Sequence, residues 1–354
     1  MNTKAQRILA SIFHAIGIDP HAPFDVQRIP VPAREKLMIL NKAIGGLSNV
    51  EVAHELAATD GGNVRRILGQ SVKTEKSAKQ GLVTRVAYLS PHIESGVLTC
   101  PWATGLNRVP GRSISVTPGI GCAGNCLIGS GRMVYDQNRR SRILKTIFQH
   151  AFPRVFLALL TTEIDRHARS VANLSRKTGI DYTCGVRLNG TSDLRWESLY
   201  PGLFASFPNV VFYDYTKGTV AARRGALSIP NYHLTYSLAD TTCPRAMARA
   251  VAWQRQGVNV ALVVKSREQV GRLLSMGSLL GRTVIDGDES DARPFDDVCG
   301  GWVLLYAKGK IDTDDPFVLD LDTLPGWARM APRRAATTSR GLVSDLMEVA
   351  CPTY

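Results

Sequence analysis

Two apolar runs, Cys184 to Leu188 and Val210 to Tyr215, each end in residues too polar for ordinary core. The first gives way to Arg187, Asn189, Asp193 and Arg195, and the second carries Asp214, Thr216 and Lys217. Carboxylates can take up and release protons, arginine and lysine hold anionic groups, and an amide can orient both. The pattern recurs downstream. Lys265 follows Val258 to Val264, Asp286 and Asp288 follow Thr283 to Ile285, and Lys308 follows Trp302 to Ala307. The candidate catalytic residues are therefore Arg187, Asn189, Asp193, Asp214, Lys217, Asp286, Asp288 and Lys308. Asp286 and Asp288 have two readings, as ligands for a divalent cation or as partners of the nearby lysines.

A second group is made of thiols. Cys100, Cys122 and Cys126 lie in a Gly- and Pro-rich stretch from Val97 to Met133, which is loop composition. Three thiolates on such a loop suit zinc or an iron–sulfur cluster, because glycine lets backbone N–H groups approach sulfur. The other reading is of free thiols in a structural loop, since no standard metal signature is complete. Seven cysteines, an odd count, argue for reduced thiols, and the isolated Cys184, Cys243, Cys299 and Cys351 read as small buried hydrophobes.

The elements that must position these groups follow from periodicity. Six apolar runs alternate with helical patterns between Cys184 and Ala307, and short helical crossovers require a mostly parallel sheet. Thr241, Thr242 and Pro244 open one helix that Gly257 closes. Ser266 caps another that runs to Met276 and stops at Gly277. Upstream, apolar residues from Ile143 to Leu174 keep one face of a long helical region, broken near Pro153.

The fold expected is α/β: a parallel β/α barrel, partial or complete, over residues 95–312, preceded by a helical domain over residues 1–94 and followed by a polar tail over residues 313–354. In the first domain, Ser48 and Glu51 form a capping box, and Gly61 and Gly62 separate that helix from one bearing Arg65 and Arg66. This layout is that of a helix-turn-helix, or simply of two packed helices. The run Lys73, Lys76 and Lys79 reads as a solvated linker face, and Leu342 to Val349 as a last helix.

The chain of 354 residues carries a formal charge of +13, which favours an anionic partner, nucleic acid foremost. The charge is uneven. Residues 131–180 hold ten Arg or Lys against three acids, and Arg139, Arg140, Arg142 and Lys145 are the candidate phosphate contacts there. No stretch approaches the ~18 apolar residues of a membrane helix, and the first residues read as an amphipathic helix rather than a signal peptide. The expected location is the host-cell cytoplasm. Oligomeric state is not written in the sequence.

The motifs CPWAT, GCAGNCLIGSGR, VRLNGTSDLRWE, VVFYDYTK, NYHLTYSL, VIDGDESDARPFD and LLYAKGK, in that order between Val97 and Lys310, resemble the gene product 88 proteins carried by bacteriophages and plasmids. One departure stands out: twenty-one residues separate Cys100 from Cys122, whereas in the family the first Cys-Pro motif sits a few residues before the pair. A cysteine loop ahead of six β/α units is also similar in outline to radical S-adenosylmethionine enzymes, but the third cysteine of their motif has no counterpart after Cys126.

Two functions are expected. One is an enzyme acting on nucleic acid or a nucleotide-derived substrate at the barrel mouth, in which Arg187, Lys217 and Lys308 hold anionic groups and Asp193, Asp214 or Asp286 moves protons. The alternative is a non-enzymatic DNA-binding protein of phage replication or host takeover, in which Arg65, Arg66 and the Arg139 to Lys145 cluster form one surface.

Overall fold

The computed structural model describes residues 67–70, 72–95, 97–107, 115–116, 120–151, 153–308 and 314–323. The expected helix-turn-helix with Arg65 and Arg66, the first helices and the helix at Leu342 to Val349 lie outside the described residues, as does Cys351.

The fold is mixed α/β. Its strands are β1 (Leu68–Gly69), β2 (Leu82–Ala87), a small separate pair β3 (Leu106–Asn107) and β4 (Ser115–Val116), then β5 (Thr183–Arg187), β6 (Val210–Thr216), β7 (Tyr232–Ser237), β8 (Val260–Val264), β9 (Ser278–Leu279), β10 (Arg282–Asp286) and β11 (Trp302–Tyr306). The helices are α1 (Val72–Ala78), α2 (His92–Ser95), α3 (Gly121–Gly124), α4 (Asp136–Ala151), α5 (Pro153–Thr178), α6 (Trp196–Leu199), α7 (Arg224–Leu227), α8 (Pro244–Gln254) and α9 (Arg267–Met276).

Among the described residues, nine strands make one mostly parallel sheet in the order β1-β2-β5-β6-β7-β8-β11-β10-β9. Among the described residues the sheet is open, so the complete form of the expected barrel is not present. The reason lies at its ends. Closure requires the outermost parallel strands to pair with each other, but β2 is paired antiparallel with β1 and β10 antiparallel with β9. Among the described residues, two-residue strands thus occupy both edges.

Two strands, β1 and β2, precede residue 95, where the β/α region is expected to begin. The alternating run LVTRVA buries Leu82, Thr84 and Val86 on one face, and β2 pairs in parallel with β5 from Leu82 opposite Thr183 to Val86 opposite Arg187. The lysine run expected as a linker lies on and just after α1, a short helix that buries Thr74 and Ser77.

The described residues divide into two compact units, one of those up to 101, at 115 and within 127–214, the other of those within 102–107, 116–126 and 215–323. In the first, α4 ends at Ala151 and α5 begins at Pro153. Trp196 is fully buried between Phe156 and Tyr200, at ring-centroid distances of 6.3 and 5.6 Å. Phe204 meets Phe212 edge-on at 4.9 Å.

In the second unit, Tyr236 stacks on Trp253 at 6.0 Å, and both are fully buried. The caps expected for α9 are present: Ser266 accepts from the Gln269 amide at 3.2 Å, and Gly277 adopts a left-handed φ of 70°. Pro244 opens α8.

Candidate functional site

A parallel sheet places its chemistry outside the carboxyl ends of its strands, because the loops that leave those ends gather there. In the first unit these are the ends of β2, β5 and β6. The loop RLNGTSD leaves β5 and passes so close to β2 that a Cβ on Gly190 would stand 2.6 Å from a methyl of Val86 and 2.8 Å from the Ala87 carbonyl. Only glycine fits there.

The next residue back, Asn189, organises the loop. Its backbone N–H donates to Asp214 Oδ1 at 2.7 Å, and its Nδ2 donates to Leu194 O at 3.0 Å and to Asp214 Oδ2 at 3.4 Å. Its Oδ1 accepts from Ser192 Oγ, Leu194 N and Trp196 Nε1 at 2.8, 2.9 and 3.0 Å. Asn189 and Asp214 are both buried. A carboxylate and an amide held this fully set the shape of the loop, and proton transfer from Asp214 would first have to break that bracket.

The Cys100 segment docks beside the same loop. Thr99 O accepts from the Asp193 amide at 2.8 Å, and Thr99 Oγ1 donates to Ser90 O at 2.9 Å. Cys100 Sγ lies 3.7 Å from Thr191 O. Asp193 is buried, while the Arg187 guanidinium stands over the Tyr213 ring at 5.6 Å.

In the second unit the carboxyl ends are those of β7, β8, β11 and β10, joined by the last residues of β6. Lys217 Nζ donates to Ser237 Oγ at 2.6 Å and to Ser237 O at 3.4 Å, and it faces the Phe317 ring at 5.0 Å. Thr216 Oγ1 accepts from Arg223 Nη1 and from the Gly218 amide, both at 3.0 Å. Arg223 is fully buried and also donates to the Tyr232 hydroxyl at 3.0 Å, which fixes the backbone under Lys217.

The second cysteine segment docks at the end of β7. Thr104 Oγ1 donates to Ala239 O at 3.4 Å and accepts from the Cys122 amide at 2.9 Å. The Gly121 amide donates to buried Asp315 at 2.8 Å. Asp315 begins a strap that runs along the strand ends. Thr241 donates to Pro316 O, Leu319 forms a parallel bridge with Val264, and Asp320 pairs with Lys265 at 2.8 Å. Hydrogen bonds from Lys265 and Gln269 bring the Asp320 carboxyl down to about 2.

The acidic loop is committed to pairing. Arg267 donates to both oxygens of Asp286, at 2.8 Å from Nη1 to Oδ1. Burial alone would raise the Asp286 carboxyl, but the Arg267 bond, the Asp288 amide and the charges of Arg267 and Lys308 bring it below its ordinary value. Asp288 forms an ion pair with Lys308 and accepts from the Tyr306 amide at 3.0 Å. Gly287 between them is forced by close approach, since a Cβ there would lie 2.5 Å from a Val303 methyl. Asp286, Asp288 and Lys308 thus hold one another and Arg267. His233 lies near the start of β7, within the sheet, and burial pushes its imidazole down to about 4.

Among the described residues, no group of three or more His, Cys, Asp or Glu side chains is gathered so as to hold a metal ion. Cys100 belongs to the first unit, and Cys122 and Cys126 to the second.

The basic helix α4 departs from expectation. Arg142 is buried and donates through Nε to Glu94 Oε2 at 2.7 Å and through Nη1 to Met133 O at 2.7 Å. Lys145 is also buried, and desolvation pushes its amine down to about 8 against the opposing charge of Glu163. Neither can meet a phosphate on an exterior face. Arg139 is partly exposed, 3.4 Å from Glu94; Arg140 lies on α4.

Sequence reading missed Ser237, Thr99 and Thr104, whose hydroxyls look ordinary in isolation. It also missed the strap at Asp315 to Asp320. The signal for the strap was the apolar triplet Phe317, Val318 and Leu319, hidden in a stretch expected to be a polar tail.

No helix among the described residues is long and apolar enough to cross a membrane. No curated protein and no solved structure matches the chain. The family model described as Gene product 88 matches residues 64–320, which takes in β1 through β11 and the strap as far as Asp320. The chain belongs to the Gene product 88 family.

Proposed function

We propose that this protein is an enzyme acting on nucleic acid or a nucleotide-derived anion at the carboxyl ends of its parallel strands. The observation that carries the reading is the placement of Lys217. Its ammonium is held 2.6 Å from the Ser237 hydroxyl, at the end of β7, where the Cys122 segment is tied through Thr104 to Ala239. An amine, a hydroxyl and a thiol-bearing helix brought to one sheet edge are groups that can bind an anion and move a proton. The net charge of +13 supports an anionic substrate.

In this reading Lys217 holds a phosphate or carboxylate and Ser237 orients it. Asn189 and Asp214 act as positioning residues for the β5 loop, since each is buried in mutual hydrogen bonds. The non-enzymatic alternative has less support, because Arg142 and Lys145 are buried away from any partner surface.

The test is turnover. Protein purified without oxygen is incubated with a panel of nucleotides and short oligonucleotides, and masses are compared between wild type, Lys217→Ala and Ser237→Ala. Iron, zinc and sulfide are measured on the same preparation. A mass change lost in Lys217→Ala supports the proposal. Turnover equal in all three proteins contradicts the assigned site, and no turnover of any substrate contradicts the enzyme reading.

A further inference from the structure

We propose that the turn from Leu127 to Arg139 is a binding platform for single-stranded nucleic acid. It deepens the nucleic-acid part of the function proposed above and rests on it. The turn consists of two short 3-10 segments, Leu127–Gly129 and Gly131–Val134, running into α4. It displays side chains that a folded protein ordinarily covers: Leu127 is 57% exposed, Val134 51% and Tyr135 61%. Arg132 is exposed beside them, and Arg139, one helical turn after Tyr135, is 36% exposed.

The turn is braced from inside. Buried Arg142 donates to Met133 O at 2.7 Å while Glu94 holds its other edge, and Asn138 Nδ2 donates to Arg132 O at 2.6 Å. Ser130 Oγ closes on Leu127 O at 3.1 Å, and the Arg139 amide on Tyr135 O at 3.0 Å. A buried arginine spent on a surface turn fixes Tyr135 and Arg132 in place before any partner arrives. Such preorganisation lowers the ordering cost of binding.

The chemistry selects the partner. An exposed aromatic ring with apolar neighbours offers a stacking face for an unpaired base, and arginines on either side of it suit the phosphates that flank that base. A duplex hides its base faces and would leave Tyr135 unused. The charge agrees. Residues 131–140 carry Arg132, Arg139 and Arg140 against Asp136 alone, in a chain of net charge +13. A neutral protein partner would not need the ring flanked in this way.

The experiment is fluorescence anisotropy with the full chain, a labelled twenty-nucleotide dT strand and a duplex of equal length, over a salt series. Tyr135→Ala is expected to weaken strand binding about 5- to 100-fold, the loss of one base stacked on a ring, while Tyr135→Phe stays close to wild type. Arg132→Ala should lower the slope of log K against log salt by about 0.7, one phosphate contact on a single strand. Because both side chains are exposed, each variant should melt with wild-type cooperativity.

Strand binding unchanged in both variants overturns the platform and leaves the enzyme reading standing. So does a wild type that turns over nucleotides yet binds no dT strand. A change in sedimentation mass in Tyr135→Ala, without a change in strand affinity, overturns it in favour of a contact between copies of the chain.

Discussion

Asn189 grips Asp214 twice, with its backbone N–H on Oδ1 at 2.7 Å and its side-chain amide on Oδ2 at 3.4 Å. The bond joins the loop after β5 to the adjacent strand, β6, and it lies wholly out of solvent. Removing the acceptor leaves two buried donors without it. Asp214→Ala should therefore cost about 2–4 kcal/mol of stability, and Asp214→Asn less, because one oxygen remains to accept. Urea denaturation of the two variants measures this. Equal stability in wild type and Asp214→Ala would mean the bracket does not hold the loop.

Arg142 and Glu94 make the second test. Arg142 is almost fully buried and meets both carboxylate oxygens of Glu94. Breaking a buried pair from one side strands the other charge, so Arg142→Met and Glu94→Leu should each cost about 3–5 kcal/mol. The double variant should recover part of that loss, since apolar groups of similar volume replace both charges. A double variant as unstable as the sum of the singles would contradict a direct pair.

Much of the sheet was legible in the sequence, because the apolar runs from Cys184 onward and the Ser266 and Gly277 caps are local signals. Openness was not. Whether a parallel sheet closes is decided by what pairs with β2 and β10, and the strands that do so, Leu68–Gly69 and Ser278–Leu279, are two residues long and carry no pattern. Site residues divide in the same way. Lys217 stood out as a charge after a strand, whereas Ser237, its partner, is a hydroxyl at the end of an ordinary strand. Arg142 misled because it sits among basic residues, yet its long side chain turns inward to a glutamate 48 positions away.

Asp296 predicts a pH dependence. Burial raises its carboxyl to about 6, although Arg293, 3.5 Å away, and Asn259 pull it down. The folded value lies above the unfolded one, so its contribution to stability is complete below about pH 4 and is lost as pH rises through about 6. Asp296→Asn should remove that slope, which amounts to at most about 3 kcal/mol. Thermal melts of both proteins at intervals from pH 4 to 7.5 check it. Parallel curves would show that Asp296 does not carry the dependence.

Thiol reactivity should separate the cysteines. Cys184 lies on β5, and burial pushes its thiol up to about 12, so alkylation of the folded protein should leave it unmodified. Cys100, Cys122, Cys126, Cys243 and Cys299 are partly exposed and should react before it. Peptide mass spectrometry after timed iodoacetamide treatment gives the order. Early labelling of Cys184 would contradict its burial in the sheet.

The most direct test of the proposed function is the mass change of nucleotides and oligonucleotides incubated with anaerobically purified protein, compared with Lys217→Ala. The predicted result is a changed substrate mass that disappears in the variant while the variant's melting curve stays cooperative. A full panel left unaltered by the wild type, or altered equally by both proteins, would contradict a reaction site built on Lys217 at the carboxyl ends of the strands.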